Sequence, residues 1–377
     1  MKATITFDKE QVVQDLIRAV NIIPKKPLVP INEFYMFHVQ FGTCHIYASD
    51  ANMTLRVSST VESDVDDFKF CVPAVLFTDT VKLLREPTFT LTVMDKVCQL
   101  KSGKSKYKMP TEDANYFVMK EDGNRDSEVS VLGANFKGSF AIATAFIDKK
   151  TDNNLKNVNL SIRDNKIVVI GGRTILVTKH NINPHSLTKF EEVSIPYSTA
   201  ITFQSIFGDK DVIDVHHDGK TAIFDNGNIK LVCGTFNGKF PNTKTLFDRT
   251  GREYFTVSTS YLLDALKRII LYSPDGIYTA VFHVSKEELM ITAEQEEFQK
   301  FGEERIEIQS PKDFMVALPA HQVVQVLSSL SEQDTMNTEM IRFYMGKDHK
   351  VPVILTDDND EPSREFLVSP LMILAKK

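Results

Sequence analysis

Only four cysteines occur in the 377-residue chain, Cys44, Cys71, Cys98 and Cys233, and no two of them form a CxxC pair. Their scatter indicates neither a zinc site nor a disulfide framework, and it fits a reducing cytoplasm. No apolar run is long enough to cross a membrane, and Met1 leads straight into a strand pattern, so neither a membrane span nor a signal peptide is expected. An excess of positive charge is lacking too, the formal net charge being −6. Such a chain does not coat nucleic acid by bulk electrostatics, although a local basic surface remains open to it.

Catalytic signatures are equally scarce. Gly103-Lys104-Ser105 imitates the end of a phosphate-binding loop, but that motif needs a glycine five residues before Gly103, where Cys98 stands. Asp214, His216 and Asp218 alternate on one strand face and have the chemistry of metal ligands, yet a polar exposed hairpin accounts for them as well. The acidic run Asp357 to Glu361 lacks the glycine and terminal glutamate of an EF-hand loop. His321 reads as a surface helix residue, and no Ser/His/Asp grouping nominates a nucleophile. The expectation is a non-catalytic protein with no metal or cofactor.

What the chain does have is repetition. Tyr254 to Ser273 joins a short strand pattern to a helix whose Leu262, Leu263, Leu266, Ile269 and Ile270 make one apolar stripe, with Lys267 and Arg268 opposite. The same unit opens the chain, where Thr4 to Phe7 alternate like a strand, Asp8 suits a helix N-cap, and Val12, Val13, Leu16, Ile17 and Val20 form the stripe with Arg18 opposite. A third copy spans Val129 to Lys150. A second repeat places a proline at the first position of a helix after a strand: Cys71-Val72-Pro73, Ser194-Ile195-Pro196 and Ala317-Leu318-Pro319. The two intervals between these prolines are both 123 residues. Equal spacing implies three tandem domains, 1–123, 124–253 and 254–377, each holding two strand-helix-strands units in an α+β fold. Polar linkers are expected at 121–127 and 248–253, with second-domain helices near 136–150 and 196–207.

Six such units per chain, in two chains joined head to tail, would place twelve helices around a closed ring. With helices ~10 Å across, the hole is roughly 28 Å wide, enough for a nucleic acid duplex.

Several short motifs, taken together and in order, give a resemblance. They are Met1 to Ile5, Lys26 to Ile31, Ala48-Ser49-Asp50, Lys108 to Phe117, Phe240-Pro241-Asn242, Tyr261 to Leu266 and Val368-Ser369-Pro370-Leu371. Over its whole length the chain resembles the bacterial DNA polymerase III beta subunit family of sliding clamps, as a divergent member. The resemblance implies a homodimeric ring that encircles duplex DNA without sequence preference and tethers the replicative polymerase. A separate ATP-driven loader opens the ring, which agrees with the missing phosphate-binding loop. Basic residues expected at the DNA are Arg18, Lys25, Lys26, Lys82, Arg85, Lys149, Lys150, Lys267 and Arg268. The resemblance places the ring joint at Tyr107 and Met109 on one edge and at Ile270 and Leu271 on the other. It also implies a partner-peptide pocket at Arg173, Val177, Pro241, Leu246, Leu367, Ser369, Pro370, Leu371 and Met372. There the family's Thr-Asp-Gly-His-Arg-Leu segment is replaced by Gly171 to Val177. Two other classes fit the composition: a β-rich repeat scaffold that binds only proteins, and a three-domain hydrolytic enzyme.

Overall fold

In the computed structural model the residues described are 2–148, 154–173, 176–243, 245–273, 278–332 and 339–372. The apolar stripes form helices where the sequence places them. Helix α1 is Lys9–Val20, capped by Asp8, whose carboxylate accepts from the Gln11 amide at 3.2 Å. The others are α2 (Ala74–Leu83), α3 (Gly133–Ala145), α4 (Tyr197–Ile206), α5 (Thr259–Ile270) and α6 (Ala320–Glu332). Pro73 and Pro196 stand one position earlier than expected, as N-caps rather than first helical residues, with ψ of 116° and 144°. The strand runs up to the proline itself, and an extended ψ belongs to the cap. Helix α3 ends at Ala145, short of residue 150. The Thr144 hydroxyl donates back to the Phe140 carbonyl at 2.6 Å, and Phe146 leaves the helix to pack edge-on against Phe366.

The chain divides into two compact units, 1–137 with 184–237 and 138–183 with 238–377. Antiparallel ladders explain why the division does not follow the repeats. In the first unit, Ile229–Gly234 pairs with Met53–Thr60. That pairing makes one nine-stranded sheet from strands on both sides of the 121–127 linker. A five-stranded sheet runs in the order Glu62–Ser63, Lys2–Asp8, Thr88–Met94, Val97–Ser102, Ser105–Pro110. Ser105–Pro110 is its outer strand, and Gly103, at φ +56°, makes the turn into it.

In the second unit, Asn157–Arg163, Lys166–Arg173, Leu176–Ile182, Arg364–Val368, Val353–Asp357, Met340–Tyr344 and Tyr254–Ser258 lie side by side in that order. A four-stranded sheet follows the order Lys300–Glu307, Glu288–Gln295, Thr279–Val284, Phe314–Pro319. Between the layers lies a core in which Leu262, Leu266 and Ile269 of α5 meet Val323 and Leu327 of α6, with Phe255 stacked on Phe343 at 4.9 Å. The α5 stripe is therefore a core face, and its other side carries Tyr261, Asp264, Lys267 and Arg268 to the surface.

Leu266 is wholly buried while Tyr261, one turn away, is 71% exposed. Leu266→Ala should lower unfolding free energy by about 3 kcal/mol through lost burial and a cavity. Tyr261→Ala should change it by less than about 0.5 kcal/mol. Urea titration of both variants checks this, and equal midpoints would contradict the burial assigned to α5.

Candidate functional site

Strand register in the second unit assembles a row of side chains across the sheet. Gly172 stands opposite Val177, Val177 opposite Leu367, Leu367 opposite Ile354, and Ile354 opposite Tyr344. Directly paired residues share a face, so Val177, Leu367, Ile354 and Tyr344 make an apolar strip. Val168 and Ile170 extend it, and Phe240, Phe247, Leu246 and Leu155 pack over it from outside the sheet. Val177 and Leu367 are each 4% exposed, Leu246 is half-buried and Pro241 is exposed at the rim.

Gly172 is required where the row begins. Its φ is +142°, and a Cβ there would lie 2.3 Å from the Leu176 carbonyl oxygen. Arg173 departs from expectation. It stands opposite Leu176 at the end of its strand, and with the Gln322 amide of α6 turned so that its nitrogen donates to the Pro319 carbonyl, the Gln322 oxygen accepts from Arg173 at 3.0 Å. Thr174 and Ile175, within the replaced segment, lie outside the described residues.

The tail behaves as its proline dictates. Strand Arg364–Val368 ends two residues before Pro370. The Leu371 amide then donates to the Ala317 carbonyl at 2.8 Å, Ser369, Pro370 and Leu371 are half-buried, and Met372 is 92% exposed. The strip itself is covered by its own chain, and the apolar side chains left accessible at its rim include Pro241, Leu246 and, on the tail, Leu371 and Met372. Sequence reasoning missed Val168, Ile170, Phe240, Phe247, Tyr344 and Ile354. Their alternation marks strands, but nothing in it states which strands meet.

The basic residues divide by their partners. Lys25, Lys26, Arg85 and Lys267 are exposed, and Lys82 is exposed with Asp79 3.7 Å away. Arg18 is held by buried Asp15 at 2.9 Å. Burial raises the Asp15 carboxyl pKa and Arg18 opposes that rise. Arg268 is engaged by both oxygens of Glu304, at 2.6 and 2.9 Å, so its donors are turned to the neighbouring strand. That hydrogen bond holds the Glu304 carboxyl below its usual range. Lys149 and Lys150 lie outside the described residues.

At the sheet edges, Tyr107 is 43% exposed on Ser105–Pro110, whereas Met109 is 3% exposed and supports its own unit from within. Leu271 is 70% exposed, and Ile270 is half-buried against the α5 core. The ring of exposed Tyr272 lies so close to Gly302 of the outer strand Lys300–Glu307 that a Cβ there would come within 2.9 Å.

The residues with metal-ligand or nucleotide-loop chemistry have structural duties. Asp214 accepts from the Ser130 hydroxyl, Asp218 accepts from the Lys220 and Thr221 amides at 2.9 and 2.7 Å, and His216 is buried. Asp358 and Asp360 both bind Arg342. Among the described residues no group of three or more His, Cys, Asp or Glu could hold a metal ion, and no helix is long and apolar enough to cross a membrane.

With this geometry in hand, comparisons with known proteins can be read. The family model for the DNA polymerase III beta subunit, N-terminal domain, matches residues 1–119. The beta sliding clamp of Synechococcus elongatus is 22% identical over 259 residues, 66% of this chain and 68% of that one. That of Staphylococcus epidermidis is 19% identical over 285 residues, 72% and 74% of the two chains. Among solved structures, the sliding clamp of Pseudomonas aeruginosa bound to griselimycin superposes with a TM-score of 0.89 at 16% identity, covering 99% of this chain and 100% of that one. The DNA polymerase sliding clamp of Bacillus subtilis gives 0.87 at 15% identity, with the same coverage. Residues 1–119 thus match the model of the DNA polymerase III beta subunit, N-terminal domain, and the chain as a whole has the fold of the solved sliding clamps.

Proposed function

We propose that this protein is a DNA sliding clamp, a non-catalytic processivity factor that encircles duplex DNA and tethers the replicative polymerase. The observation that carries the reading is likeness over the full length: solved clamps cover 98% or more of this chain with TM-scores of 0.84 to 0.89. Three domains, 1–123, 124–253 and 254–377, two copies in a head-to-tail ring, and a separate loader complete the proposal.

For the ring joint, charge and shape support a heterologous pairing of edges. The outer strand Ser105–Pro110 and its turn expose Lys104, Lys106 and Lys108, while the outer strand Lys300–Glu307 and the turn before it expose Glu296, Glu297, Glu303 and Glu307 against Lys300 and Arg305, the latter paired with Glu303, and so remain acidic on balance. Opposite signs on two open edges favour joining one to the other over joining either to itself. Tyr107 on one side and Leu271, Tyr272 and Phe301 on the other offer the apolar contact. Met109 and Ile270 act beneath the joint.

For DNA, Lys25, Lys26, Lys82, Arg85 and Lys267 are the exposed phosphate contacts, and these carry no base information, as sliding requires. With a net charge of −6, retention must come from topology. Partner peptides dock on the apolar row, with the tail from Ser369 to Met372 as its lip.

Three outcomes test these assignments. Protein placed on closed circular duplex should stay bound at salt concentrations that abolish ordinary electrostatic binding, and should leave once the circle is cut. Equal loss from closed and cut DNA would overturn encirclement. Leu271→Ala with Tyr272→Ala should yield a folded monomer by sedimentation; an intact dimer would move the joint elsewhere. A variant ending at Val368 should bind an aliphatic-anchor peptide about tenfold more weakly than full-length protein while remaining dimeric. Unchanged affinity would remove the tail from the pocket.

A further inference from the structure

Beside the apolar row, on the same sheet face, runs a second row of different chemistry. Ile170 stands opposite Lys179, Lys179 opposite Glu365, Glu365 opposite Thr356, and Thr356 opposite Arg342. The rows are two residues apart along each strand, about 7 Å. A cleft of about 420 Å³ opens on this second row, and the residues that matter in it are Arg163, Lys166, Lys179, Arg249, Glu361 and Glu365.

Glu365 is only 2% exposed. Its Oε1 accepts from Lys179 Nζ at 2.6 Å and from Asn181 Nδ2 at 3.4 Å. Arg249 Nε lies 3.5 Å from Oε2, which accepts no hydrogen bond. One buried carboxylate is therefore shared by two cations. Of the other acids, Glu361 is taken by Lys166 at 2.7 Å, Asp360 shares Arg342 with Asp358 at 2.9 and 2.6 Å, and Asp164 sits exposed at the hairpin turn; none of them pairs with Arg163, Lys179 or Arg249. Arg163 meets only the Thr243 hydroxyl, at 3.2 Å, with no carboxylate in ion-pair reach among the described residues. Arg163, and one of the pair Lys179 and Arg249, thus lack a counterion of their own. Both members of that pair are already held in place, Lys179 over the Phe247 ring at 5.6 Å and Arg249 over the Tyr344 ring at 5.3 Å. Phe247 and Tyr344 belong to the apolar row's cluster, so cleft and row are continuous.

We propose that this cleft binds a carboxylate side chain of an acidic peptide segment, the flank of a partner peptide whose aliphatic anchor occupies the neighbouring row. The assignment rests on the peptide-pocket reading above and names its ligand class. Arg163 supplies the free planar fork that pairs with a carboxylate, and Lys179 supplies ammonium hydrogens not used by Glu365. Glu365 positions the two shared cations. Because their charged ends already lie over aromatic rings, little side-chain freedom is lost when the ligand arrives.

The test uses full-length protein and short end-capped peptides with a Leu-Leu anchor flanked, on either side in turn, by Glu or by Gln, together with a Glu-flanked peptide whose anchor is Ser-Ser. The Glu peptide should bind about tenfold more tightly than the Gln peptide, with the advantage shrinking as salt rises. Arg163→Gln should remove that advantage while leaving the Gln peptide's affinity and the unfolding midpoint unchanged. Equal affinity of Glu and Gln peptides for the native protein would overturn the proposal, as would a Glu advantage kept intact in Arg163→Gln. If the Ser-Ser peptide bound as well as the Leu-Leu one, the pocket reading would fall, while a Glu preference lost in Arg163→Gln would still place the carboxylate in the cleft. Binding of none of the peptides would overturn both.

Discussion

The backbone pairing of Leu176–Ile182 with Arg364–Val368 is the contact on which the candidate site depends. It brings Val177 against Leu367 and Lys179 against Glu365, residues far apart in the chain, and it sets which side chains share a face. Because side chains alternate along a strand, a slip of one residue would exchange two sets completely. In a slipped strand, Val177 or Leu367 of the covered outer row would trade places with Leu176 or Val368, which now lie in the core beneath. Both sets are apolar, so hydrophobic burial alone does not choose between them. Lys179 and Glu365 do: a slip of either strand would turn its charge into the core between the sheets, away from its partner and from solvent.

Glu365 therefore has two consequences from one cause. A carboxylate so deeply buried is tolerable only with cations beside it, and Lys179 and Arg249 meet that need at 2.6 and 3.5 Å. Arg249 comes from the segment 248–253, expected from composition to be a solvated linker. Instead it turns inward, its guanidinium over Tyr344 and bonded to the Tyr344 hydroxyl at 3.3 Å. The covering segment from Phe240 to Arg249 is thus pinned at both ends, by aromatic packing and by charge.

Elsewhere, electrostatics separates residues that look alike in sequence. Lys267 and Arg268 are neighbours on α5, yet Arg268 is clasped by Glu304 while Lys267 faces solvent. Arg18 likewise belongs to Asp15, and Lys25 and Lys26 stand exposed just past the end of the same helix. A free ammonium can follow a passing phosphate; a guanidinium already in a two-point carboxylate pair gives up that pair first.

Local order was legible in the residues. The stripe of α5, the Asp8 cap of α1, the three strand-proline-helix junctions and the strand alternations are decided by interactions within a few positions, which is why they appear in the sequence as periodicity. The repeat spacing and short motifs were enough to mark the clamp fold, and Val177, Leu246 and Leu367, named together from the motifs, pack in one apolar cluster. Four things were decided only by tertiary pairing: that Arg173 turns to Gln322, that Met109 is buried, that Arg268 is spoken for, and that a charged row lies beside the apolar one. Each depends on which strand or helix, distant in the chain, comes to lie alongside. Alternation within a strand fixes two faces but carries no information about the partner that will cover either one.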